Sequence, residues 1–488
     1  MTRCVLAIDQ GTTGTTALLL DANVRVVAQA NVEFPNHYPA PGHVEHDVAE
    51  IWESVRAAVS QAIESAGPVE LVAIGITNQR ETCLFWDAQS GEPIHRALVW
   101  QDRRTADLCQ ALKDEGLEAK VREKTGLVLD PYFSGTKAKW LLDHVPGARA
   151  RAARGEILFG TIDAWLAWRL CGAHATDPSN ASRTLLFNLQ TMDWDDDLLS
   201  MLDIPRAALP RICENAEVLG HTRGLGFVPD GIPVAGMAGD QQSALFGQAC
   251  FRSGEAKCTY GTGAFILMNT GADAVPSHNG LLTTVGWRLN GETTYALEGS
   301  AFIAGAAVQW LRDQLGIIER AQDIEVLAAS VPDSGGVVFV PALAGLGAPH
   351  WRPDARGLFT GITGYTTKAH IARAVLEGMA LQISDILHAM EADSRLTLSG
   401  LKVDGGAASN DLLMQFQADI LRTPVIRPTV LETTALGSAF LAGLAVSFWS
   451  TPDAVREAWA EDSTFAPEMS DDVVEGHLTA WAAAVAKA

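Results

Sequence analysis

A pattern of strand, glycine-threonine turn and strand occurs twice in this chain, once near its start and once just past its middle. The first copy, Cys4–Asp21, turns at Gly11–Thr13, and the second, Cys258–Asn269, turns at Gly261–Gly263. Small residues at a hairpin tip let backbone N–H groups approach an anion closely. One such hairpin is weak evidence because glycine turns join strands in most folds. Two copies, one in each half, predict a duplicated nucleotide clamp.

Size, composition and charge restrict the class of protein. The 488 residues suffice for two or three domains, and 48% apolar with 19% charged residues is ordinary for a globular protein. A net charge of -22 argues against a nucleic-acid partner, whose phosphates would repel the chain. The most apolar stretch, Ala435–Trp449, contains two serines and is too short to span a bilayer. We therefore expect neither nucleic acid nor membrane as a partner.

The cysteines indicate a reducing compartment. They are scattered at Cys4, Cys83, Cys109, Cys171, Cys213, Cys250 and Cys258. An odd number, wide spacing and no CxxC pair are typical of reduced, mostly buried thiols. The chain passes from Met1 directly into an apolar strand, so we expect no signal peptide and a cytoplasmic location.

Strand and helix patterns alternate in both halves. In the first half, Val48–Ile63 has one apolar helical face, Leu71–Thr77 is typical of a buried strand, and Cys83–Asp87 is predicted to be its hairpin partner. In the second half, a long helix at Lys368–Ala389 precedes a strand at Leu398–Asp404. Alternation of this kind predicts α/β layers.

We place a domain boundary near Cys250–Glu255, where one α/β unit ends and the second glycine hairpin begins. The sequence thus predicts an N-terminal lobe of residues 1–250 and a C-terminal lobe of residues 251–488, with a cleft between them. The acidic segment after Trp449 is predicted to be helical, and the sequence does not indicate a function for it.

Two charged segments are interpreted as structural. His43–Asp47 offers metal-ligand residue types, but Asp47 is suited to cap the following helix, and we expect a solvated loop. Asp193–Asp197 resembles a chelating run, but acids at a helix start complement the helix dipole. Neither segment is predicted to bind metal.

Longer strings carry a resemblance to a known family. The two hairpins, together with Asp404–Gly406, resemble the phosphate and adenosine loops of the actin-like ATPase superfamily. The strings at Tyr132–His144, Leu346–Trp351 and Gly357–Glu377 resemble signatures of the FGGY carbohydrate kinases. This resemblance implies an α/β fold of two ribonuclease H-like lobes with a catalytic cleft between them.

Within that family, further strings are similar to those of members that act on glycerol. They lie at Ile76–Thr82, Leu98–Thr105, Leu129–Lys137, Asn180–Asn188, Ala238–Gln248 and Tyr260–Gly271. The similarity runs from Ala7 to about Trp449, nearly the whole chain. It implies transfer of the γ-phosphoryl group of ATP to glycerol, giving sn-glycerol 3-phosphate and ADP for glycerol catabolism.

The resemblance also implies a substrate site. A small polyol needs charged or amide hydrogen-bonding partners and an apolar wall. From the residues alone, Arg80 and Glu81 are more often a surface ion pair than ligand contacts. The resemblance implies seven glycerol contacts: Arg80, Glu81, Tyr132, Asp240 and Gln241 on the polar side, and Trp100 and Phe265 on the apolar side.

Asp240 is the implied catalytic base. Between a glycine turn and a helix, an aspartate is most often a helix cap. A primary alcohol that attacks a phosphoryl group must also lose its proton to a positioned base. The resemblance assigns that role to Asp240.

The resemblance implies a nucleotide site formed by both hairpins. Its implied nucleotide contacts are Thr12, Thr13, Gly14, Thr262, Gly305, Gln309, Gly406 and Asn410. Asp9 precedes the first turn and is implied, with Asp240, to hold Mg²⁺, although a strand-end aspartate also commonly forms turns. Thr16 departs from the family, whose members often carry arginine there, so we expect weaker nucleotide affinity or a substitute cation.

Two alternatives stay open. Another FGGY polyol or sugar kinase would share the loops but is expected to lack the combination of Arg80, Glu81, Trp100 and Tyr132. A non-catalytic member of the superfamily is disfavoured because Asp240 is retained. The assembly state is not determined by the sequence, and a homodimer or a homotetramer is compatible with it.

Overall fold

Two large mixed sheets organise the computed structural model, which describes residues 1–488. The strands of the first half are β1 (Thr2–Gln10), β2 (Gly14–Asp21), β3 (Val26–Glu33), β4 (Glu45–His46), β5 (Val69–Asn78), β6 (Cys83–Asp87), β7 (Ala97–Leu98), β8 (Ile157–Thr161), β9 (Ala175–Thr176), β10 (Phe187–Asn188), β11 (Asp193–Trp194), β12 (Arg211–Ile212), β13 (Ala216–His221) and β14 (Pro233–Gly239). Its helices are α1 (Val48–Ala66), α2 (Ala106–Asp114), α3 (Glu118–Thr125), α4 (Ser134–His144), α5 (Ala148–Ala153), α6 (Ile162–Cys171), α7 (Pro178–Ala181), α8 (Asp196–Leu202) and α9 (Asp240–Gly247).

The second half follows the same alternation. Its strands are β15 (Ala256–Tyr260), β16 (Ala264–Gly271), β17 (Leu282–Leu289), β18 (Glu292–Ala301), β19 (Val338–Val340), β20 (Leu358–Thr360), β21 (Leu401–Asp404), β22 (Val425–Pro428) and β23 (Glu461–Phe465). Its helices are α10 (Gly305–Asp313), α11 (Asp323–Ala329), α12 (Lys368–Ser394), α13 (Asp411–Leu421), α14 (Thr433–Ala445), α15 (Pro452–Ala458) and α16 (Asp471–Val485).

The central strands of the two large sheets share one arrangement. The first has the order β13-β14-β5-β1-β2-β3, and the second has the order β17-β18-β16-β15-β21-β22-β23. In each, a central strand pairs antiparallel with its hairpin partner (β1 with β2, β15 with β16) and parallel with a later strand (β5, β21). The predicted duplication of an α/β unit is confirmed.

Strand register brings the turns to the carboxyl ends of the parallel strands. Asn78 pairs with both Gln10 and Gly239, so β1, β5 and β14 end at one edge of the first sheet. In the second sheet, Thr259 pairs with Asp404, so β15 and β21 end together. Ligand sites of α/β sheets form at such carboxyl edges.

One helix of the second half packs on the first sheet. Close approach requires glycine, because a Cβ at Gly75 would lie 2.1 Å from the carbonyl oxygen of Ser438, and a Cβ at Gly236 would lie 2.4 Å from the amide of Ala442. The apolar character of α14 is thereby explained, since both the sheet and α9 cover it. No helix in the structure has the length and apolar character needed to cross a membrane.

Two strand and loop predictions are wrong. β6 does not pair with β5 but belongs to a separate sheet of order β4-β7-β6-β8, because the chain turns away at Glu81, whose φ is 61°. His43–Asp47 is not a solvated loop, since Glu45 and His46 form β4 and are buried. Burial lowers the pKa of His46 to about 4, which leaves its imidazole neutral at physiological pH.

The segment after Trp449 is not wholly helical. It contains β23, which pairs antiparallel with β22 and forms one edge of the second sheet. The last helix, α16, buries Trp481 in the second-half core, and the indole Nε1 donates to Asp385 Oδ2 at 2.8 Å. The segment therefore completes the second lobe.

Two further predictions agree with the structure. All seven cysteines are free, six of them buried and Cys171 half-buried. Asp195 caps α8, accepting from the amides of Asp197 and Leu198, and Lys124 forms ion pairs with Asp195 and Asp197. No group of three or more His, Cys, Asp or Glu side chains is placed to hold a metal ion.

Candidate active site

A cluster of polar side chains lies where the carboxyl edge of the first sheet meets the second sheet. Arg80 and Glu81 follow β5, and Asp240 follows β14. Arg80 is only 2% exposed, and the side chain of Asp240 is 29% exposed. Arg80 is therefore not part of a surface ion pair.

Arg80 joins the two halves of the chain. Its Nη1 and Nη2 donate to Glu298 Oε2 and Oε1 at 2.5 and 2.9 Å, and Glu298 lies on β18 of the second sheet. Its Nε lies 3.0 Å from Asp240 Oδ1, and Nη1 donates to Gln242 Oε1 at 3.2 Å. Because three side chains hold it through four contacts, the guanidinium is fixed in one orientation.

Glu81 is held in an unfavourable backbone conformation. Its φ of 61° lies in the left-handed region, which is uncommon for residues other than glycine and is concentrated at functional sites. Arg183 Nε donates to Glu81 Oε1 at 2.6 Å, and Ser134 Oγ donates to the carbonyl oxygen of Glu81 at 2.8 Å. Burial raises the pKa of Glu81, and the charges of Arg183 and Arg80 oppose that rise.

Two aromatic rings form a wall beside these charges. Trp100 and Tyr132 meet edge to face with ring centres 5.6 Å apart, and the Arg183 guanidinium lies 5.4 Å from the centre of the Tyr132 ring. Trp100 Nε1 donates to Thr12 Oγ1 at 2.9 Å. This hydrogen bond links the aromatic wall to the first hairpin turn, which is predicted to hold phosphate.

A buried lysine that the sequence did not single out supports this wall. Lys137 Nζ donates to the carbonyl oxygen of Tyr132 at 2.7 Å and to that of Val99 at 3.3 Å. Val99 immediately precedes Trp100, so one ammonium group fixes the backbone at both aromatic residues. Burial lowers the pKa of Lys137.

Asp240 does not cap α9. Gly239 occupies the N-cap position, and Asp240 Oδ1 accepts from the amide of Gln241 at 2.7 Å. The amide oxygen Oε1 of Gln241 accepts from Lys257 Nζ, and Lys257 comes from β15. A Cβ at Gly239 would lie 2.7 Å from Arg80 Cδ, so the glycine makes room for the arginine. The carboxylate of Asp240 is thus partly exposed to solvent, whereas its neighbours Arg80, Gln241 and Lys257 are buried.

Phe265 lies on the face of the second sheet that presents Glu298. Across β16 and β18, Leu267 pairs with Glu298 and Phe265 pairs with Ser300. Directly paired residues point to the same face, as do residues two apart on one strand. Phe265 and Glu298 therefore share a face.

The predicted adenosine and phosphate contacts of the second half converge. The amide of Gly305, at the start of α10, donates to the carbonyl oxygen of Gly261 at 3.0 Å, and the carbonyl oxygen of Thr262 accepts from two amides near the same helix start. Gly405 packs on the same hairpin, since a Cβ there would lie 2.5 Å from the carbonyl oxygen of Tyr260. The second hairpin turn, the start of α10 and the Gly405-Gly406 pair therefore lie together on one surface.

The other predicted adenosine contacts differ in solvent exposure and in hydrogen bonding. Gln309 on α10 and Gly406 are exposed. Asn410 is buried and caps α13, its Oδ1 accepting from the amide of Leu413 at 2.8 Å. The amide nitrogen of Asn410, and not its oxygen, is therefore the group left for another partner.

The first turn is open at its tip. Thr13 is exposed and Thr12 and Gly14 are half-buried. The amide of Gly11 donates to the carbonyl oxygen of Gly14 at 2.9 Å, which closes the turn. A Cβ at Gly14 would lie 3.2 Å from the carbonyl oxygen of Val32.

Carboxylates gather beside this turn. Burial, followed by the negative charges of Asp240 and Glu432, raises the pKa of Asp9 to about 8. Thr16 pairs directly with Asp9 across the hairpin, and its Oγ1 accepts from Asn31 Nδ2 at 2.9 Å. No lysine or arginine forms an ion pair with Asp9. The place is therefore one that a cation would stabilise.

The sequence reasoning missed four supporting residues: Arg183, Glu298, Lys137 and Lys257. Two of them belong to segments that carry the family resemblance: Arg183 lies in Asn180–Asn188, and Lys137 lies in Leu129–Lys137. What distinguishes these two residues is that a charged side chain is buried. Burial depends on tertiary packing, so the sequence did not show it. Glu298 and Lys257 carried no signal, since each acts across the interface of the two halves.

Duplicated α/β units, each with a glycine-threonine turn, and a partly exposed carboxylate beside a buried charged group are typical of a phosphotransferase of the sugar-kinase class. Models of the FGGY family of carbohydrate kinases match residues 4–247 (N-terminal domain) and 256–446 (C-terminal domain). The chain belongs to the FGGY family of carbohydrate kinases.

Its relatives within the family span its full length. The chain is 61% identical over 490 residues to the glycerol kinase of Myxococcus xanthus (strain DK1622), covering 99% of each chain. It is 56% identical over 488 residues to the glycerol kinase of Stenotrophomonas maltophilia (strain K279a), covering 99% of this chain and 98% of the relative. The solved structure of Plasmodium falciparum glycerol kinase with ADP superposes with a TM-score of 0.94 at 36% identity, covering 100% of this chain and 98% of that one.

Proposed function

We propose that this protein transfers the γ-phosphoryl group of ATP to glycerol, giving sn-glycerol 3-phosphate and ADP in glycerol catabolism. The observation that carries the proposal is the buried pair of Arg80 and Glu81 beside the Trp100–Tyr132 wall, in a chain 61% identical to a glycerol kinase over its full length. Such a site suits a triol, which needs hydrogen-bonding partners on one side and an apolar surface on the other.

The glycerol contacts in this proposal are Arg80, Glu81, Trp100, Tyr132, Asp240, Gln241 and Phe265. Within the protein, neither Glu81 Oε2 nor the Tyr132 hydroxyl makes a hydrogen bond, whereas Glu81 Oε1 accepts from Arg183 Nε at 2.6 Å. Burial raises the pKa of Tyr132, so its phenol stays protonated and can donate to an oxygen. Aromatic rings on the other side would cover the carbon chain.

Asp240 is the proposed base. A carboxylate that is 29% exposed, at the start of a helix and among buried neighbours, can accept the proton of the attacking hydroxyl. Its contact with Arg80 Nε keeps it oriented toward the residues proposed to bind glycerol. Exclusion of water by closure of the cleft would keep water from competing as the nucleophile.

The nucleotide contacts stay proposals on the same basis. Thr12, Thr13, Gly14 and Thr262 are placed at the two turns, and Gly305, Gln309, Gly406 and Asn410 lie on or near the surface formed by the second turn. Structural similarity to a glycerol kinase solved with ADP supports a nucleotide there. Backbone amides at glycine turns are suited to phosphate oxygens.

Mg²⁺ would be held by Asp9 and Asp240. Magnesium is commonly bound by one or two carboxylates together with substrate phosphates and water. Burial, and after it the negative charges of Asp240 and Glu432, raise the pKa of Asp9, so a cation beside it would favour the ionised carboxylate. When bound, the ion would neutralise phosphate charge during transfer.

A cytoplasmic location and self-association are also proposed. Seven free thiols support a reducing compartment. Partners other than glycerol and nucleotide are expected to be copies of the same chain, as a homodimer or homotetramer, and sedimentation analysis would determine which.

A panel of polyols and sugars with ATP and Mg²⁺, read through a coupled ADP assay, tests the function. Glycerol should give the highest kcat/KM, and Asp240→Asn should lower turnover by about 10²–10⁴-fold with an unchanged circular dichroism spectrum. Asp472→Asn, an exposed aspartate at the start of α16, is the matched control and should keep wild-type turnover.

Two results would contradict the proposal. Preference for erythritol, gluconate or a ketopentose over glycerol would identify a different member of the family. Near-normal turnover of the Asp240→Asn enzyme would remove that residue from the base role.

A further inference from the structure

Glu298 comes from the second lobe yet contacts a residue proposed to bind substrate in the first. Its two carboxylate oxygens take both terminal nitrogens of Arg80, at 2.5 and 2.9 Å, and its side chain is 1% exposed. Burial raises the pKa of Glu298, but Arg183 and Arg80 outweigh burial and bring it to about 2. Glu298 is therefore ionised at physiological pH.

Arg183 completes a buried group of four charges. Its Nε donates to Glu81 Oε1 at 2.6 Å, and its Nη2 forms an ion pair with Glu298 Oε1 at 3.1 Å. The side chain is fully buried, and neither Nη1 nor Nη2 makes a hydrogen bond. A buried guanidinium with so few hydrogen bonds is tolerable only because two carboxylates balance its charge.

The four charges form a closed chain. Arg80 pairs with Glu298, Glu298 with Arg183, Arg183 with Glu81, and Glu81 lies 3.9 Å from Arg80 Nε. Two positive and two negative charges balance. Removing one member leaves an uncompensated buried charge, to which the remaining members must respond by moving.

We propose that Glu298 and Arg183 are positioning residues for glycerol, an inference that rests on the proposed function. Glu298 fixes the plane of the Arg80 guanidinium so that Nε faces Asp240, and Arg183 fixes Oε1 of Glu81 so that Oε2 is left for a hydroxyl. Because Glu298 lies on β18, the glycerol site of the first lobe is complete only when the second lobe is docked.

Glu298→Gln tests the role of Glu298 with little change of shape. An amide offers one acceptor in place of two and no charge, so the Arg80 guanidinium can leave the orientation in which its Nε faces Asp240. We expect the KM for glycerol to rise about tenfold or more, a loss comparable with one charge-assisted hydrogen bond. The KM for ATP should change by less than about twofold, because the nucleotide is proposed to bind elsewhere.

A double variant guards against misfolding caused by charge imbalance. Arg183→Gln with Glu298→Gln removes one charge of each sign, so the buried group stays neutral. It should show the same selective rise in the KM for glycerol and a cooperative thermal transition.

The matched control is Glu377→Gln on α12. Glu377 is buried and paired with Arg373 at 2.8 Å, within the second lobe and without contact to the charge group. This variant should keep both KM values while losing a comparable buried ion pair.

The outcomes separate the inference from the function. A wild-type protein that releases no ADP with glycerol overturns the proposed function and this inference with it. An active wild type with an unchanged glycerol KM in both Glu298 variants overturns the positioning role alone. Equal rises in the KM for glycerol and for ATP also overturn it, since they would indicate a merely structural effect.

Discussion

At the scale of single residues, Thr16 bears on the charge around Asp9, beside the turn that is proposed to hold the nucleotide. They pair directly across β1 and β2, and directly paired residues point to the same face. Asp9 has a pKa raised to about 8 and no basic partner. A hydroxyl at position 16 adds no positive charge where phosphates and carboxylates are proposed to meet.

Thr16→Arg should tighten ADP binding. A guanidinium beside Asp9 would face the first turn and compensate negative charge, and one charge-assisted contact corresponds to about a three- to tenfold lower Kd. Isothermal titration with ADP and Mg²⁺ measures the change. Thr16→Gln adds length without charge and should leave the Kd near that of the wild type.

An unchanged Kd in the Thr16→Arg protein would show that this position does not face the phosphates.

Residue-level prediction worked where chemistry is local. Asp47 caps α1 and accepts from the amide of Ala49, as its position before an apolar helix indicated. The environment of Arg80 was ambiguous, because the same Arg-Glu dipeptide can form an ion pair at the surface or in the interior. The structure places it at 2% exposure with Glu298 as its partner, a residue 218 positions away.

At the scale of elements, glycines decide how α14 fits on the first sheet. Gly75 on β5 and Gly236 on β14 face its backbone, and Gly437 within α14 faces α9, where a Cβ would lie 1.8 Å from the carbonyl oxygen of Ser243. Small residues on both surfaces allow backbone contact, so a helix from the end of the chain can pack on strands from its beginning.

Gly236→Ala should lower the free energy of unfolding by about 1–3 kcal/mol, because the added Cβ would overlap α14 backbone atoms in a packed core. Gly476→Ala on α16 is the opposite control. A Cβ there meets nothing within 4 Å, so the better helix former should raise stability by about 0.5–1 kcal/mol. Urea denaturation of both variants measures the difference. Equal stability of the two variants would contradict the packing argument.

At the scale of the whole molecule, the site is shared by two lobes. The first lobe supplies Arg80 and Gln241, and the second supplies Glu298 and Lys257, which contact them. These contacts join the two halves, while Asp240 is half-buried and the tips of both turns are exposed.

Closure of the lobes should depend on substrates. Phosphoryl transfer requires exclusion of water, and the side chain of Asp240, the proposed base, is still 29% exposed. Small-angle scattering should therefore show a smaller radius of gyration with glycerol plus a non-hydrolysable ATP analogue than with either alone. Identical profiles in all conditions would mean that the lobes do not move.

The sequence alone determined the features that depend on neighbours along the chain. Two hairpins with glycine-threonine turns, the alternation of strands and helices and the family strings were all readable, because backbone periodicity and turn chemistry act over a few residues. Those features sufficed for the duplicated α/β fold and for the family.

Tertiary structure decided what depends on contacts between distant segments. The departure of β6 from β5, the burial of Glu45 and His46, the packing of α14 on the first sheet and the pairing of Arg80 with Glu298 all join residues from separate parts of the chain. Burial and charge pairing across the two lobes are properties of the packed molecule, since a side chain's surroundings are fixed only when both lobes are folded and docked.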